Sequence, residues 1–307
     1  MKKQVWIDTD LSVGMKRHAR EGYCDVDDGY AVLQLMLSDK VEIKGISAVF
    51  GNTLIENAHA LCQYMSREFD NKSIPVYQGA GEAIDLRNVE TNAAVEALAE
   101  ALKQQKLTIM AIGPATNIGL LLLKYPELKI QIEEVVLVAG RRKPTDYFAI
   151  GNQGGRARDL NFDLDNDAFR LLFEHEVPIT LCPFEISSKV WIKETDLDRL
   201  AQGNAGNRWL ADKSRAWLQQ WVAQGADGFN PFDVLASHYI IAPDDIISEP
   251  LNARLEIHPD DTVPENDRQV FKQYLLCDKE QGCPVTYCYD VVAGYHQKLM
   301  DSLLIAK

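Results

Sequence analysis

Apolar residues in the first part of the chain alternate between two textures. Short, β-prone runs stand at 5–7 (VWI), 41–50 (VEIKGISAVF), 74–77, 107–112, 132–139 (IEEVVLVA) and 178–182. Between them lie longer segments whose apolar residues recur at helical spacing, at 52–69, 88–104, 115–124 and 165–176. A run such as IEEVVLVA, apolar almost without a break, suits a strand covered on both faces of a sheet. This alternation predicts an α/β fold: an open, mostly parallel, Rossmann-like sheet with helices on both faces and right-handed crossovers.

The texture changes after about Trp191. Segments 194–202 and 207–224 read as helices, and 251–257, 270–277 and 285–289 as strands, before a terminal helix over 291–304. These elements are expected to elaborate one domain spanning 1–307. Trp209, Trp217 and Trp221 recur at spacings of eight and four along the second helix, which puts them near one stripe and reads as core packing. The connection 140–161 is long and carries Arg141, Arg142, Arg156 and Arg158. Long connections in compact domains are often functional.

Composition narrows the function classes. The chain has 307 residues, 46% of them apolar, so a large core is available. A net charge of −13 argues against nucleic acid as a partner, because phosphates call for clustered Lys and Arg. No run approaches the roughly 20 apolar residues that span a bilayer, and no apolar leader follows Met1. The six cysteines are scattered and form no CxxC pair, which suits a reduced, cytoplasmic protein.

The densest chemistry lies in residues 5–33. The first strand ends in Asp8-Thr9-Asp10, and Asp25, Asp27 and Asp28 precede the next apolar helix. Five carboxylates so close in sequence repel one another unless a cation sits among them, and hard oxygen donors point to Ca²⁺ or Mg²⁺. Helix capping explains one or two of the later three, but not Asp8 and Asp10. Other strands end in polar residues too: Gly51-Asn52, then 113–117 with Thr116 and Asn117, Gly140 leading to Asn152, Asp159 and Asn161, and Pro183-Phe184-Glu185. Gathered at the carboxyl ends of parallel strands, they would line one crevice.

These blocks also carry a resemblance. Asp8-Thr9-Asp10 with Asp27-Asp28, then 49–52 (VFGN), 113–118 (GPATNI), 138–140 (VAG), 161–165 (NFDLD) and 231–236 (PFDVLA) stand in the order seen in the nucleoside hydrolases, which the chain resembles over roughly 3–240. The resemblance implies a Ca²⁺-dependent hydrolase of N-glycosidic bonds, acting on a ribonucleoside or related N-glycoside. The implied ligands are Asp10, Asp28, the Thr116 carbonyl and Asp233, and Asp10 would also take the proton of the attacking water. Asp27 and Asn52 would hold the ribose 2′- and 3′-hydroxyls, and Asn152, Asp159 and Asn161 the 5′ end. Asp8 is expected to support the ligands, and Asp25 to start the helix outside the site. A homo-oligomer is implied as well.

The chain departs from the family pattern at four places. Residues 11–26, with Lys16, Arg17, His18 and Arg20, replace a short Pro-Gly link. Asp159 stands where Glu is frequent, and Glu185-Ile186-Ser187-Ser188 replaces an Asp-rich turn. Phe232 occupies the place of a His that serves as proton donor in one branch. Protonation of the leaving group then falls to His18, Tyr147, His238 or Tyr239, or gives way to aromatic stacking on the base. Two other functions remain open on the sequence. One is a non-catalytic relative that binds sugar and metal. The other is an Mg²⁺ phosphatase of the haloacid dehalogenase type, with Asp8 as nucleophile and Asp244-Asp245 as the distal pair.

Overall fold

A computed structural model describes residues 2–17, 21–70, 73–150, 155–263 and 270–305. Its strands are β1 (Lys3–Thr9), β2 (Val41–Ala48), β3 (Val76–Gln78), β4 (Leu107–Ala111), β5 (Ile132–Leu137), β6 (Phe148–Ile150), β7 (Gly155–Ala157), β8 (Ile179–Leu181), β9 (Ile246–Pro259), β10 (Phe271–Asp278) and β11 (Cys283–Val291). The helices are α1 (Asp27–Leu37), α2 (Ile55–Phe69), α3 (Ala93–Gln104), α4 (Thr116–Lys124), α5 (Leu160–Leu164), α6 (Asn166–Glu174), α7 (Phe184–Ser187), α8 (Glu194–Leu200), α9 (Ala205–Ala223), α10 (Val234–Ile241) and α11 (Tyr295–Leu303).

One nine-stranded sheet runs β10-β9-β11-β8-β5-β4-β1-β2-β3. Every pairing from β3 across to β11 is parallel. The late strands β9 and β10 join antiparallel at the far edge. The expected α/β architecture is therefore present, with an antiparallel edge added to a parallel centre. Side chains alternate across the sheet as strand geometry requires. Val5 and Ile7 of β1 enter the core shared with α1, α2, α9, α10 and α11, while Trp6 enters the opposite core beside α3, α4 and α6.

This order creates a switch point at β1. The chain moves from β1 to β2 and β3 on one side, then returns to build β4, β5 and β8 on the other. Helices from the two directions part there, leaving a crevice at the carboxyl end of β1. Asp8, Thr9 and Asp10 lie at that end.

Two elements differ from the sequence expectations. The connection 140–161 contains a two-stranded antiparallel ribbon, β6 with β7. Helix α10 has no amphipathic signal because seven of its eight residues are buried, so its apolar positions show no period. It packs against α1, whose eleven residues are all buried. Among the described residues, no helix is long and apolar enough to cross a membrane.

Candidate active site

The floor of the crevice is built from two acidic elements meeting end to end. Asp10 follows β1, while Asp27 and Asp28 open α1, and all three are buried. Asp28 Oδ1 accepts a hydrogen bond from the Thr9 hydroxyl, which ties the helix start to the strand. Asp10 Oδ2 accepts from the Asn52 backbone N–H at 2.6 Å. That contact needs a glycine before it: a Cβ on Gly51, whose φ is +154°, would lie 2.0 Å from Asp10 Oδ2. Asp233 arrives from the turn ahead of α10 and is also buried.

Asp8 does a different job. Its Oδ1 accepts from the Ser47 hydroxyl and from Asn117 Nδ2, the latter at 2.8 Å. Ser47 in turn accepts from Trp6 Nε1 at 2.9 Å, and Asn117 Oδ1 from the Ala80 N–H at 2.9 Å. Asp8 thus braces β1, β2 and α4 behind the floor. Thr116 opens α4 and donates its hydroxyl to Asp165 Oδ2 at 2.7 Å. The loop ahead of it closes on Asp10, since a Cβ on Gly113 would lie 3.0 Å from the Asp10 backbone nitrogen.

Asp25 corrects one expectation. It does not sit outside the site as a helix-start residue; it lines the cavity, and its carboxylate lies within 4.8 Å of those of Asp27 and Asp28. The segment 11–26 folds back so that Asp25 accepts from the Ser12 hydroxyl at 3.0 Å.

Crowding these acids in a buried place has a plain electrostatic result. Burial and then mutual repulsion hold Asp10, Asp27, Asp28 and Asp233 well above the usual carboxylate range. Burial pushes Asp25 up to about 6, opposed by Ser12 and the charge of Arg17, and pushes Asp8 up to about 7. Asp10 Oδ1, Asp27 Oδ1 and Asp28 Oδ2 are buried with no hydrogen-bond partner among the described residues. Unpaired buried carboxylate oxygens are costly, and this donor set fits a hard divalent cation. Asp25, Asp27 and Asp28 form a group able to hold a metal ion.

Above the floor opens a cavity of about 710 Å³. Asp25, Asp27, Asp233 and Asn52 form its acidic end, and Asp159 and Asn161 line its wall. Asn161 is locked by donating to the carbonyls of Ile112 and Val138, each at 3.1 Å. Asp159 accepts from the Gly140 N–H at 2.8 Å, and burial raises it to about 6 against the charge of Arg141. Phe148, Phe184, Phe232, Trp217 and Trp221 supply an aromatic lining, with Phe148 stacked on Phe184 at 4.8 Å. Arg17, Glu21, Arg156, Arg158, Gln220 and Gln224 add the other charged and amide side chains of the lining.

Of the four groups expected to protonate a leaving base, the three described ones are not brought here. Buried His238 bonds Gln34 at 3.1 Å and Asp245 at 3.2 Å, because α10 turns it toward α1 and the sheet edge. The Tyr239 hydroxyl donates to Glu134 at 3.2 Å and accepts from Thr180 at 3.3 Å. Tyr147 is 39% exposed and lies under the Arg156 guanidinium, 3.6 Å from its ring centroid. None of the three lines the cavity. His18 and Asn152 fall outside the described residues.

The tryptophan stripe divides. Trp209 packs on Tyr64 and Phe69 at the margin of the core, whereas Trp217 and Trp221 are buried in that core and also reach the cavity, so the core-packing expectation holds and two of the three line the site as well. Phe148 was not singled out from the sequence, whereas Phe184 belongs to the strand end Pro183-Phe184-Glu185 that was. The dehalogenase-type reading fails on geometry. Asp8 is sealed behind the floor, and Asp245 is engaged by His238 and Lys298 away from the cavity.

Comparison with known proteins agrees with this arrangement. The family model described as inosine-uridine preferring nucleoside hydrolase matches residues 5–291. The pyrimidine-specific ribonucleoside hydrolase RihA of Salmonella enteritidis is 28% identical over 204 residues, which are 58% of this chain and 63% of that protein. The match thus spans less than two thirds of that relative. RihA of Klebsiella pneumoniae (strain 342) is 27% identical over 236 residues, 67% of this chain and 74% of its own. Among solved structures, a plant nucleoside hydrolase, PpNRh1, superposes with a TM-score of 0.76 at 16% identity, covering 99% of both chains. A purine-preferring ribonucleoside hydrolase from Gardnerella vaginalis gives 0.76 at 19% identity over 98% of each. Both likenesses are of fold.

Proposed function

Since this chain belongs to the inosine-uridine preferring nucleoside hydrolase family, we propose that it uses water to cleave the N-glycosidic bond of a ribonucleoside. The observation that carries this reading is the trio of buried, partnerless oxygens, Asp10 Oδ1, Asp27 Oδ1 and Asp28 Oδ2, in the acidic cluster whose Asp25, Asp27 and Asp233 line a cavity of about 710 Å³. Ca²⁺ is the proposed ion, held by Asp10, Asp28, Asp233 and the Thr116 carbonyl. When bound, such an ion lowers the pKa of water and fixes its position.

The chain's own groups do the rest. Asp10 is held by the Asn52 N–H through Oδ2, so Oδ1 is the atom that takes the proton of the attacking water. Asp27 and Asn52 grip the ribose 2′- and 3′-hydroxyls, and Asp159 and Asn161 the 5′ end. Surrounding carboxylates favour the positive charge that develops on the sugar ring. No histidine is among the described lining residues. The aromatic wall of Phe148, Phe184 and Phe232 holds the leaving base by stacking, and solvent can supply its proton. A homo-oligomer and a cytoplasmic setting go with the same reading, the latter in keeping with six unpaired cysteines.

The test compares chelated and Ca²⁺-loaded protein on inosine, uridine and p-nitrophenyl riboside, alongside Asp10→Asn. Expected is Ca²⁺-dependent release of ribose that the substitution abolishes. Turnover of p-nitrophenyl riboside alone means the metal and ribose half works with a different leaving group. No turnover of any riboside by the loaded protein overturns the reading in favour of binding without catalysis.

A further inference from the structure

A neutral ribose and base do not account for three arginines in the cavity lining, Arg17, Arg156 and Arg158. Arg156 and Arg158 stand two residues apart on and just after β7, and both face the cavity. They lead directly into Asp159 and Asn161, the pair assigned to the 5′ end. Arg17 lies over the Trp217 ring, 5.8 Å from its centroid. A free 5′-hydroxyl needs only an acceptor for its proton, which the Asp159 carboxylate and Asn161 Oδ1 already offer.

We propose that the substrate carries an anion at its 5′ end, and that the chain prefers nucleoside 5′-monophosphates to free nucleosides; this rests on the hydrolase reading above. Guanidinium groups are the side chains best matched to a phosphate, which they bind through paired, charge-assisted hydrogen bonds. Arg156 is set in place for this. Its face is stacked on Tyr147 and one of its donors is fixed on the Asp261 carbonyl at 3.1 Å. Arg158 meets Asp163 at 3.3 Å, but Lys272 meets that carboxylate at 3.0 Å, so Asp163 keeps a counter-charge when Arg158 turns to a ligand. The charge balance points the same way. A chain of net charge −13, with five acids at and around the cavity floor, repels an anion unless cations are placed along its path.

The chemistry is that of the parent reaction with the phosphate left intact. The C1′–N bond breaks and its electron pair leaves on the base, which takes a proton from solvent. The water oxygen bonds C1′ and gives its proton to Asp10. The products are ribose 5-phosphate and the free base.

Two measurements on the Ca²⁺-loaded protein test this. The first compares kcat/KM for inosine and uridine with that for their 5′-monophosphates. The phosphate should gain about tenfold or more, the scale of a charge-assisted pair, and Arg156→Ala/Arg158→Ala should collapse the ratio toward one. The second measures binding of ribose 5-phosphate against ribose by calorimetry, with the same variant separating arginine contacts from direct contact with the cation. Nucleosides cleaved as well as their monophosphates would overturn the inference and leave the hydrolase reading standing. No cleavage, but variant-sensitive preference for ribose 5-phosphate, supports the anion subsite while the hydrolase reading fails. Equal binding of the two sugars overturns the inference whatever the kinetics. So does faster cleavage of orotidine than of uridine 5′-monophosphate, which would move the anion to the base.

Discussion

Removing the cation should make this protein less stable as pH rises, and the size of the effect follows from the floor. Asp25 titrates at about 6 in the folded chain against an ordinary 3.8. A folded pKa raised in this way means the folded state binds more protons, so stability is intact below about pH 4 and falls as pH climbs through the window to 6. At about 1.4 kcal/mol per unit, Asp25 alone costs about 3 kcal/mol at pH 7. Asp10, Asp27, Asp28 and Asp233 shift in the same direction and add to it. A cation that binds only the folded chain offsets part of this, about 2.7 kcal/mol at a hundred times its Kd. With an unfolding entropy of about 2.1 cal/mol/K per residue, that is a rise of about 4 °C in a chain of 307 residues. The assay is thermal unfolding by circular dichroism at pH 5 and pH 7.5, in chelator and in millimolar CaCl₂. The chelated Tm should drop by several degrees between the two pH values, and calcium should recover it at pH 7.5 with a smaller effect at pH 5. Asp28→Asn removes one of the repelling charges, so it should raise the chelated Tm at pH 7.5 and lose the calcium shift. A chelated Tm indifferent to pH, or a full calcium shift in Asp28→Asn, would refute the electrostatic account.

Three further substitutions probe the frame around that floor. Gly51→Ala places a Cβ 2.0 Å from Asp10 Oδ2 and should abolish the calcium shift while the far-ultraviolet spectrum stays native; an undiminished shift in the same melt would break the link between this loop and Asp10. Asn117→Ala strips hydrogen bonds from Asp8 and from the Ala80 N–H, and should lower stability by about 2–3 kcal/mol in urea titrations, with a loss under half a kilocalorie counting against the bracing role. His238→Gln should cost about 1–2 kcal/mol of stability yet leave kcat/KM on p-nitrophenyl riboside within about twofold, since the side chain lies outside the cavity. A hundredfold fall in that assay would restore His238 to the chemistry.

The parallel centre of the sheet was legible because its strands are buried on both faces and bounded by Gly, Pro or Asn. The pattern at 132–139 could hardly belong to anything else, and β5 covers Ile132–Leu137. Helix α10 was illegible for the converse reason: Val234–Ile241 is enclosed on nearly all sides by α1, the sheet and α11, and a segment without a polar face has no period to read. Periodicity also shows only that residues share a stripe, not what the stripe meets. Trp209, Trp217 and Trp221 illustrate this along the nineteen residues of α9. One end of the helix lies on α2 and the other reaches the cavity, so one stripe serves both packing and lining.

The limits were sharpest at the acidic stretch. Asp8 and Asp10 could be placed at the carboxyl end of the first strand, because the apolar run just before them marks where that strand lies. Yet the hydrogen bonds that separate them, Ser47 and Asn117 on Asp8 and Asn52 on Asp10, come from other strand ends and from α4. Asp25 could not be placed at all. Nothing local in residues 11–26 says that this segment turns back through the Cys24 N–H to Met15 carbonyl and Tyr23 N–H to Gln220 bonds, at 2.7 and 2.8 Å. That return path anchors the segment to α9 and sets its two functional ends on one cavity: Asp25 beside Asp27 and Asp28, and Arg17 over Trp217. The segment adds an acid where the cation is proposed and a base where the phosphate is proposed. A cation alone would be served better without Arg17, and an anionic ligand alone without Asp25. A substrate that needs both, neutralised at its sugar by a divalent ion and at its 5′ end by arginine, is the one for which the segment makes physical sense.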